Sequence, residues 1–166
     1  MLGASGSCRR GSTDKELTRA KNTAYRYLTY RPRSRAELVQ KLHDKGFDVA
    51  IIEAVIDDLG RLGYVNDRQF ASQWSLSRIR LRGFGRRRIE QELKAKGIER
   101  ELIQETFAEV FGENSELETA MRVVEKKMRS MKSIDREVRR RRLGGLLERK
   151  GFPYDVIGKV LRDTRT

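Results

Sequence analysis

The stretch LRGFGRRRIEQELKAKGIERELI, residues 81–103, carries three Gly, five Arg and apolar residues at helical spacing. It reads equally as a DNA-binding hairpin and as a packing unit, and recurrence decides between them. Around Gly97 the marked positions are Ile89, Leu93, Lys96, Ile98, Leu102 and Thr106, at offsets of −8, −4, −1, +1, +5 and +9. The same offsets from Gly46 fall on Leu38, Leu42, Lys45, Phe47, Ile51 and Val55. From Gly151 they fall on Leu143, Leu147, Lys150, Phe152, Val156 and Val160. The stretch is one copy of a repeat. Its glycines lie 51 and then 54 residues apart, a period longer than that of two-helix solenoids, so each copy has room for three helices.

The shared pattern spells a helix, a left-handed stop and a second helix. Apolar residues four apart share one face, Lys suits the negative end of the macrodipole, and Gly supplies the positive φ that closes the helix. Start signals agree: Ser34 with Glu37 is a capping box, Asp48 is a candidate cap for the helix of Ile52, Val55, Ile56 and Leu59, and Pro153 sits where a helix start tolerates it. Each unit has a further helix upstream. Leu17, Ala20, Ala24, Tyr27 and Leu28 mark the first, Phe70, Ala71, Trp74 and Leu81 the second, and Ala120, Met121, Val124 and Met128 the third. Units join at GYVND (63–67) and GENSE (112–116), where Asn66 and Ser115 are candidate caps.

Hydrophobic and charged residues each make up 37% of the chain, so the core must come from narrow apolar stripes on otherwise solvated elements. Only Pro32 and Pro153 interrupt the chain, and no alternating run of Val, Ile and Thr suggests a strand. The expected fold is all-α: three tandem three-helix repeats in an elongated, curved array. Residues 1–13 read as a flexible tail, 14–65 as repeat 1, 66–112 as repeat 2 and 113–166 as repeat 3.

A net charge of +13 points to a polyanion or an acidic protein surface as partner. Cys8 is the sole cysteine, which excludes an intramolecular disulfide and fits a reducing compartment. No apolar run reaches the roughly 18 residues of a membrane span, and the opening residues lack the apolar centre of a secretory signal, so a cytoplasmic chain is expected. Catalysis finds little support. His43 is the only histidine, so no multi-histidine metal site or histidine-based triad can be assembled. GFGRRR lacks the full phosphate-loop pattern, and the neighbouring Asp57 and Asp58 diverge by about 100° on a helix, as a solvated acidic face would. No enzyme activity, cofactor or metal is expected.

The basic runs carry more. Arg78 to Lys94 holds seven cations against two acids, and Arg122 to Lys150 holds twelve against four. Between them, residues 99–118 hold seven Glu against Arg100. Alternating signs fit a composite partner, a protein filament carrying DNA, better than naked duplex. The candidate contact residues are Arg78, Arg82, Arg86, Arg87 and Arg88 in the middle repeat and Arg139, Arg140, Arg141 and Arg142 in the last. Three arginines in the first turn of a helix oppose its macrodipole, which an external anion would offset. Phe70, Trp74, Phe107 and Phe111 read as core, while Tyr25, Tyr30 and Phe84 are candidate stacking surfaces for bases.

Three segments together, AYRYLTYRPRSRAELVQKLHDKGF (24–47), GYVNDRQFASQW (63–74) and SRIRLRGFGRRRIEQELKAKGI (77–98), resemble the RecX regulatory proteins, bacterial modulators of the recombinase RecA. Asn66 stands where that family commonly has a second acid. The resemblance implies tandem three-helix repeats, a monomer that lies in the groove of the RecA filament on single-stranded DNA, and inhibition of recombination without catalysis. It also implies a place in DNA repair and the SOS response. The alternative reading is a general basic helical module that binds nucleic acid by charge.

Overall fold

The structure, a computed structural model, describes residues 7–112, 115–131 and 134–163. Among the described residues there are nine α-helices and no strand: α1 (Ser7–Tyr30), α2 (Arg35–His43), α3 (Val49–Arg61), α4 (Asp67–Ser77), α5 (Arg86–Ala95), α6 (Arg100–Phe111), α7 (Ser115–Met128), α8 (Arg136–Arg149) and α9 (Tyr154–Asp163). They fall into the three expected groups of three. The chain forms two compact units, one up to Phe70 and one from Ala71 onward. Residues 1–6 of the expected tail lie outside the described residues. The rest of that tail, from Ser7, is already part of α1, consistent with the lack of any proline before Pro32 to stop the helix from extending upstream.

The repeated glycine closes each second helix in the same way. Phe47, Ile98 and Phe152 donate their N–H to the carbonyls of Leu42, Leu93 and Leu147 at 3.3, 3.1 and 3.1 Å. Gly46, Gly97 and Gly151 donate to His43, Lys94 and Glu148, each at 2.9 Å. This crossed pair of bonds is the Schellman motif, and it requires the positive φ seen at all three glycines. The motif also folds the residue after Gly back onto the helix it has just ended. Leu42, Leu93 and Leu147 are wholly buried, as are Leu38, Ile89 and Leu143 one turn earlier, each worth about 1.5–3 kcal/mol of apolar burial.

In the first unit these residues pack with Ala20 and Ala24 of α1 and with Ile52, Val55, Ile56 and Leu59 of α3. In the third repeat the core gathers Ala120, Val124, Leu143, Leu147, Phe152, Ile157 and Val160. Two upstream helices depart from the sequence reading. Met121 is exposed, and Glu116 and Thr119 occupy the buried face of α7 instead. Leu81 is 78% exposed while Ile79 is buried, because α4 runs into a π-helical turn over Arg78–Arg82. That turn holds about one residue more than an α turn and rotates Leu81 off the apolar face.

Helix starts show how neighbouring repeats are joined. The capping box at Ser34 forms as expected, with the Ser34 side chain accepting from the Glu37 N–H at 3.2 Å. Asn66 caps α4 by accepting from the Gln69 N–H at 3.0 Å. Asp48 occupies the cap position of α3 but its side chain makes no capping bond. In addition, the first N–H of α2, that of Arg35, donates to Asp67 at 2.8 Å. At the matching place in the second repeat, the Arg86 N–H that opens α5 donates to Glu116 at 2.8 Å. Thus an acid from the start of the following three-helix group closes the preceding group's second helix. By contrast, α8 is capped by its own Asp135, which accepts from the Glu137 and Val138 N–H groups at 2.9 and 3.1 Å.

The second and third repeats also meet backbone to backbone. Gly85 donates to the Lys150 carbonyl at 2.8 Å and Arg87 to the Gly151 carbonyl at 3.0 Å. Such an approach leaves no room for side chains: a Cβ on Gly85 would lie 2.7 Å from the Gly151 carbonyl, and one on Gly151 would strike the Arg88 backbone.

Three alanine substitutions separate conformation from contact. Gly46→Ala meets only the φ of 78°, with nothing within 4 Å of the added carbon, and should cost about 1 kcal/mol. Gly85→Ala keeps an ordinary φ of −85° but crowds the seam, at about 1–3 kcal/mol. Gly151→Ala incurs both and should be the most destabilising by urea unfolding; equal costs at positions 46 and 151 would mean that the seam yields freely.

Glu116 gives a second expectation. Burial raises its carboxyl pKa above the ordinary value of 4.5, against the opposing pull of the Arg86 N–H and guanidinium. The folded state therefore holds this proton more tightly than the unfolded chain does. Its contribution to stability is complete below about 4.5 and is lost as the pH rises through the elevated folded value. Glu116→Gln keeps the oxygen that accepts from Arg86 and removes the titration, so its stability relative to the parent should improve as the pH rises through that window. A constant difference across the window would show Glu116 titrating as a solvated acid.

Candidate functional site

The nine arginines marked in the sequence divide into those tied within the fold and those left outward. Arg78 belongs to the first group: its Nε donates to Glu92 at 2.6 Å and its guanidinium lies 3.9 Å from the Trp74 ring centroid. Trp74, expected in the core, is instead half-buried between this group and Lys96, whose Nζ is 4.3 Å from the ring, and its indole N–H donates to Glu92 at 2.9 Å. Arg86 pairs with the buried Glu116 at 3.4 Å and lies over Phe111 at 5.4 Å. Among the described residues, then, an anion already serves the arginine-rich start of α5. Arg139 donates to the Ile134 carbonyl at 2.7 Å and its Nε is buried.

Arg82, Arg87, Arg88 and Arg140 to Arg142 are exposed. Arg87 lies 4.8 Å from the Tyr154 ring centroid and Arg88 lies 5.5 Å from that of Phe84. Phe84 also has Lys150 at 5.4 Å, so cations flank the ring proposed to stack on bases. Tyr25 packs edge-on against Tyr64 at 5.3 Å, whereas Tyr30 is 80% exposed.

A cleft of about 450 Å³ in the second unit is lined by six cations. Arg80 and Arg82 of the π turn, Arg122, Lys126 and Lys127 of α7, and Lys150 at the end of α8 line it. Among the described residues no carboxylate lines this cleft. Lys150 Nζ donates to the Arg82 carbonyl at 2.5 Å, which ties the π turn to the third repeat. Burial, with Lys126 and Arg82 as like-charged neighbours, pushes the Lys150 pKa below its usual value. The cleft thus concentrates positive potential. Of its six cations the sequence singled out only Arg82. Arg122 and Lys126, four apart on one helix face, are a legible pair; their meeting with the π turn depends on the tertiary fold.

Other constellations resolve into ordinary contacts. Asp57 pairs with Arg35 at 2.6 Å, and Asp58 pairs with Lys21 at 2.5 Å and Arg61 at 3.1 Å. His43 is exposed. Among the described residues no group of three or more His, Cys, Asp or Glu is arranged to hold a metal, and no helix is long and apolar enough to cross a membrane.

Comparison with known proteins matches all three groups of helices. The family models for the first, second and third three-helix domains of RecX match residues 20–59, 66–106 and 114–161. The regulatory protein RecX of Amycolatopsis mediterranei is 36% identical over 90% of this chain and 87% of its own length. That of Streptomyces coelicolor is 35% identical over 88% of this chain and 77% of its own. The crystal structure of RecX from Lactobacillus salivarius superposes with a TM-score of 0.82 at 22% identity, covering 90% of this chain and 97% of that one. With three domains matched in order and relatives aligned over most of their length, the chain belongs to the RecX family of regulatory proteins.

Proposed function

We propose that the chain acts as a monomer in the cytoplasm, binds the RecA filament on single-stranded DNA and inhibits its ATPase and strand-exchange activities without catalysis of its own. The observation that carries this reading is the complete RecX domain set, three domains in order on one chain. The charge map supports it. A basic cleft and exposed arginines alternate with the acidic stretch of residues 99–118, a pattern suited to a surface that offers both phosphates and protein side chains. Arg82, Arg87, Arg88 and Arg140 to Arg142 are the proposed contact residues, with Arg80, Arg122, Lys126, Lys127 and Lys150 added by the cleft. Arg78, Arg86 and Arg139 act instead by holding the fold.

RecA ATPase on single-stranded DNA, titrated with this chain, tests the reading. Inhibition should saturate, and replacing Arg140, Arg141 and Arg142 together with Gln should weaken it several-fold at unchanged thermal stability. Arg78→Gln should chiefly lower stability, because Glu92 then keeps the Trp74 indole N–H and the more distant Arg88 but loses its shortest charged donor. A chain that coats bare DNA yet leaves ATPase and strand exchange untouched at saturation would be a general nucleic-acid binder.

A further inference from the structure

The six-cation cleft has a second property that charge alone does not explain: apolar residues line it among the cations. Ile79, Leu81, Val123 and Leu146 line it beside the cations, and Leu81 stands 78% exposed at its edge. An exposed leucine set within a basic surface suits a ligand that brings apolar groups and negative charge together. A phosphate chain is a poorer match. Phosphates are commonly held by free backbone N–H groups at helix starts or nests, whereas the N–H groups of Gly83 and Phe84 at this site already donate to the carbonyls of Ile79 and Arg78 at 3.1 and 3.3 Å. Single-stranded bases are usually held on aromatic rings, and none of the residues lining the cleft is aromatic. Carboxylates on a peptide that also carries aliphatic side chains match both kinds of lining residue.

We infer that this cleft is a docking site for an acidic protein segment with interspersed leucine-like residues, its carboxylates facing Arg80, Arg122, Lys126 and Lys127 and an apolar side chain seated against Leu81 and Val123. The inference rests on the regulatory reading only for the identity of the protein that supplies the segment.

The test uses the full chain and three fluorescent probes: a short peptide of Glu and Asp with two central leucines, the same peptide with serines for leucines, and an oligothymidylate of equal charge. The leucine peptide should bind, and the serine peptide should bind about tenfold more weakly or worse. Leu81→Ser, at an exposed position, should weaken the leucine peptide by a similar factor and leave the oligothymidylate unchanged. Lys126→Gln with Lys127→Gln should weaken the leucine peptide, whereas Arg141→Gln on the exposed face of α8 should not. Equal binding of the two peptides, or a Leu81→Ser chain that holds the leucine peptide at full strength, would overturn the inference. So would an oligothymidylate that displaces the leucine peptide and binds as tightly, since the cleft would then be a phosphate site. Peptide binding by a chain that leaves RecA ATPase unaffected would keep this site and retract the regulatory reading.

Discussion

A helix that opens on Gly85 followed by three arginines has neither a capping side chain nor an acid in its first turn, and the organisation of the second unit follows from how that deficit is met. Glu116, thirty residues on, takes the first N–H of α5 and faces the Arg86 guanidinium. Neither group does well alone. A carboxyl that is only 8% exposed loses much of its hydration, and the Arg86 N–H and guanidinium offset part of that loss. The start of α5 therefore depends on α7 being in place, and α7 buries Glu116 only because α5 supplies the donors. Asp67 and Arg35 form the same link one repeat earlier, at 2.8 Å. Repeat proteins draw stability from such nearest-neighbour terms, and here the term is a charge-assisted hydrogen bond at a helix end.

This arrangement explains what could be read in the sequence. The Schellman stop is local: every group in it lies within six residues, so the spacing of Leu93, Gly97 and Ile98 and of their counterparts shows it without any knowledge of the fold. The capping boxes and turn junctions are local too, and Ser34, Glu37 and Asn66 behave as their spacing implies. Two of the misread positions, Met121 and Leu81, are decided at long range. Met121 carries an apolar side chain at a plausible core position, yet α7 turns Thr119 and Glu116 inward because Glu116 must reach α5. Leu81 follows a regular 3.6-residue period that the π turn breaks, and the cause of that turn is tertiary: Lys150 holds the Arg82 carbonyl and the Gly85 N–H holds the Lys150 carbonyl.

The candidate site was legible as a region but not as a set of residues. Counting charge locates the two basic runs, yet it cannot separate Arg86, paired across thirty residues, from Arg88 two positions away, whose carboxylate partner Glu92 is on the same helix at 3.8 Å. Nor can it join Arg80 with Lys127, far apart in sequence and brought to one cleft by the seam at Gly85 and Gly151. The opening stretch is a packing unit with a basic flank. Ile89, Leu93, Ile98 and Ile103 are packing residues, Arg86 serves the join to the next repeat, and the flanking π turn lines a basic cleft.

The contrast between the second and third repeats carries this one step further. Both begin the second helix with several cations near the start, but α8 takes its cap from Asp135 in its own chain segment, and Arg140, Arg141 and Arg142 remain exposed. Beside the cap supplied by the neighbouring repeat Arg86 is drawn into the structure while Arg87 and Arg88 stay exposed; beside the local cap Arg139 turns inward to the Ile134 carbonyl while Arg140 to Arg142 stay exposed. Each of the two helices thus carries one arginine that serves the fold and others on its outer face, whichever segment supplies its N-terminal acid. A substitution that moved this acid, such as one placing a capping Asp at position 85, would be expected to release Arg86 from its structural role while forcing apart the seam, where an added Cβ would lie 2.7 Å from the Gly151 backbone.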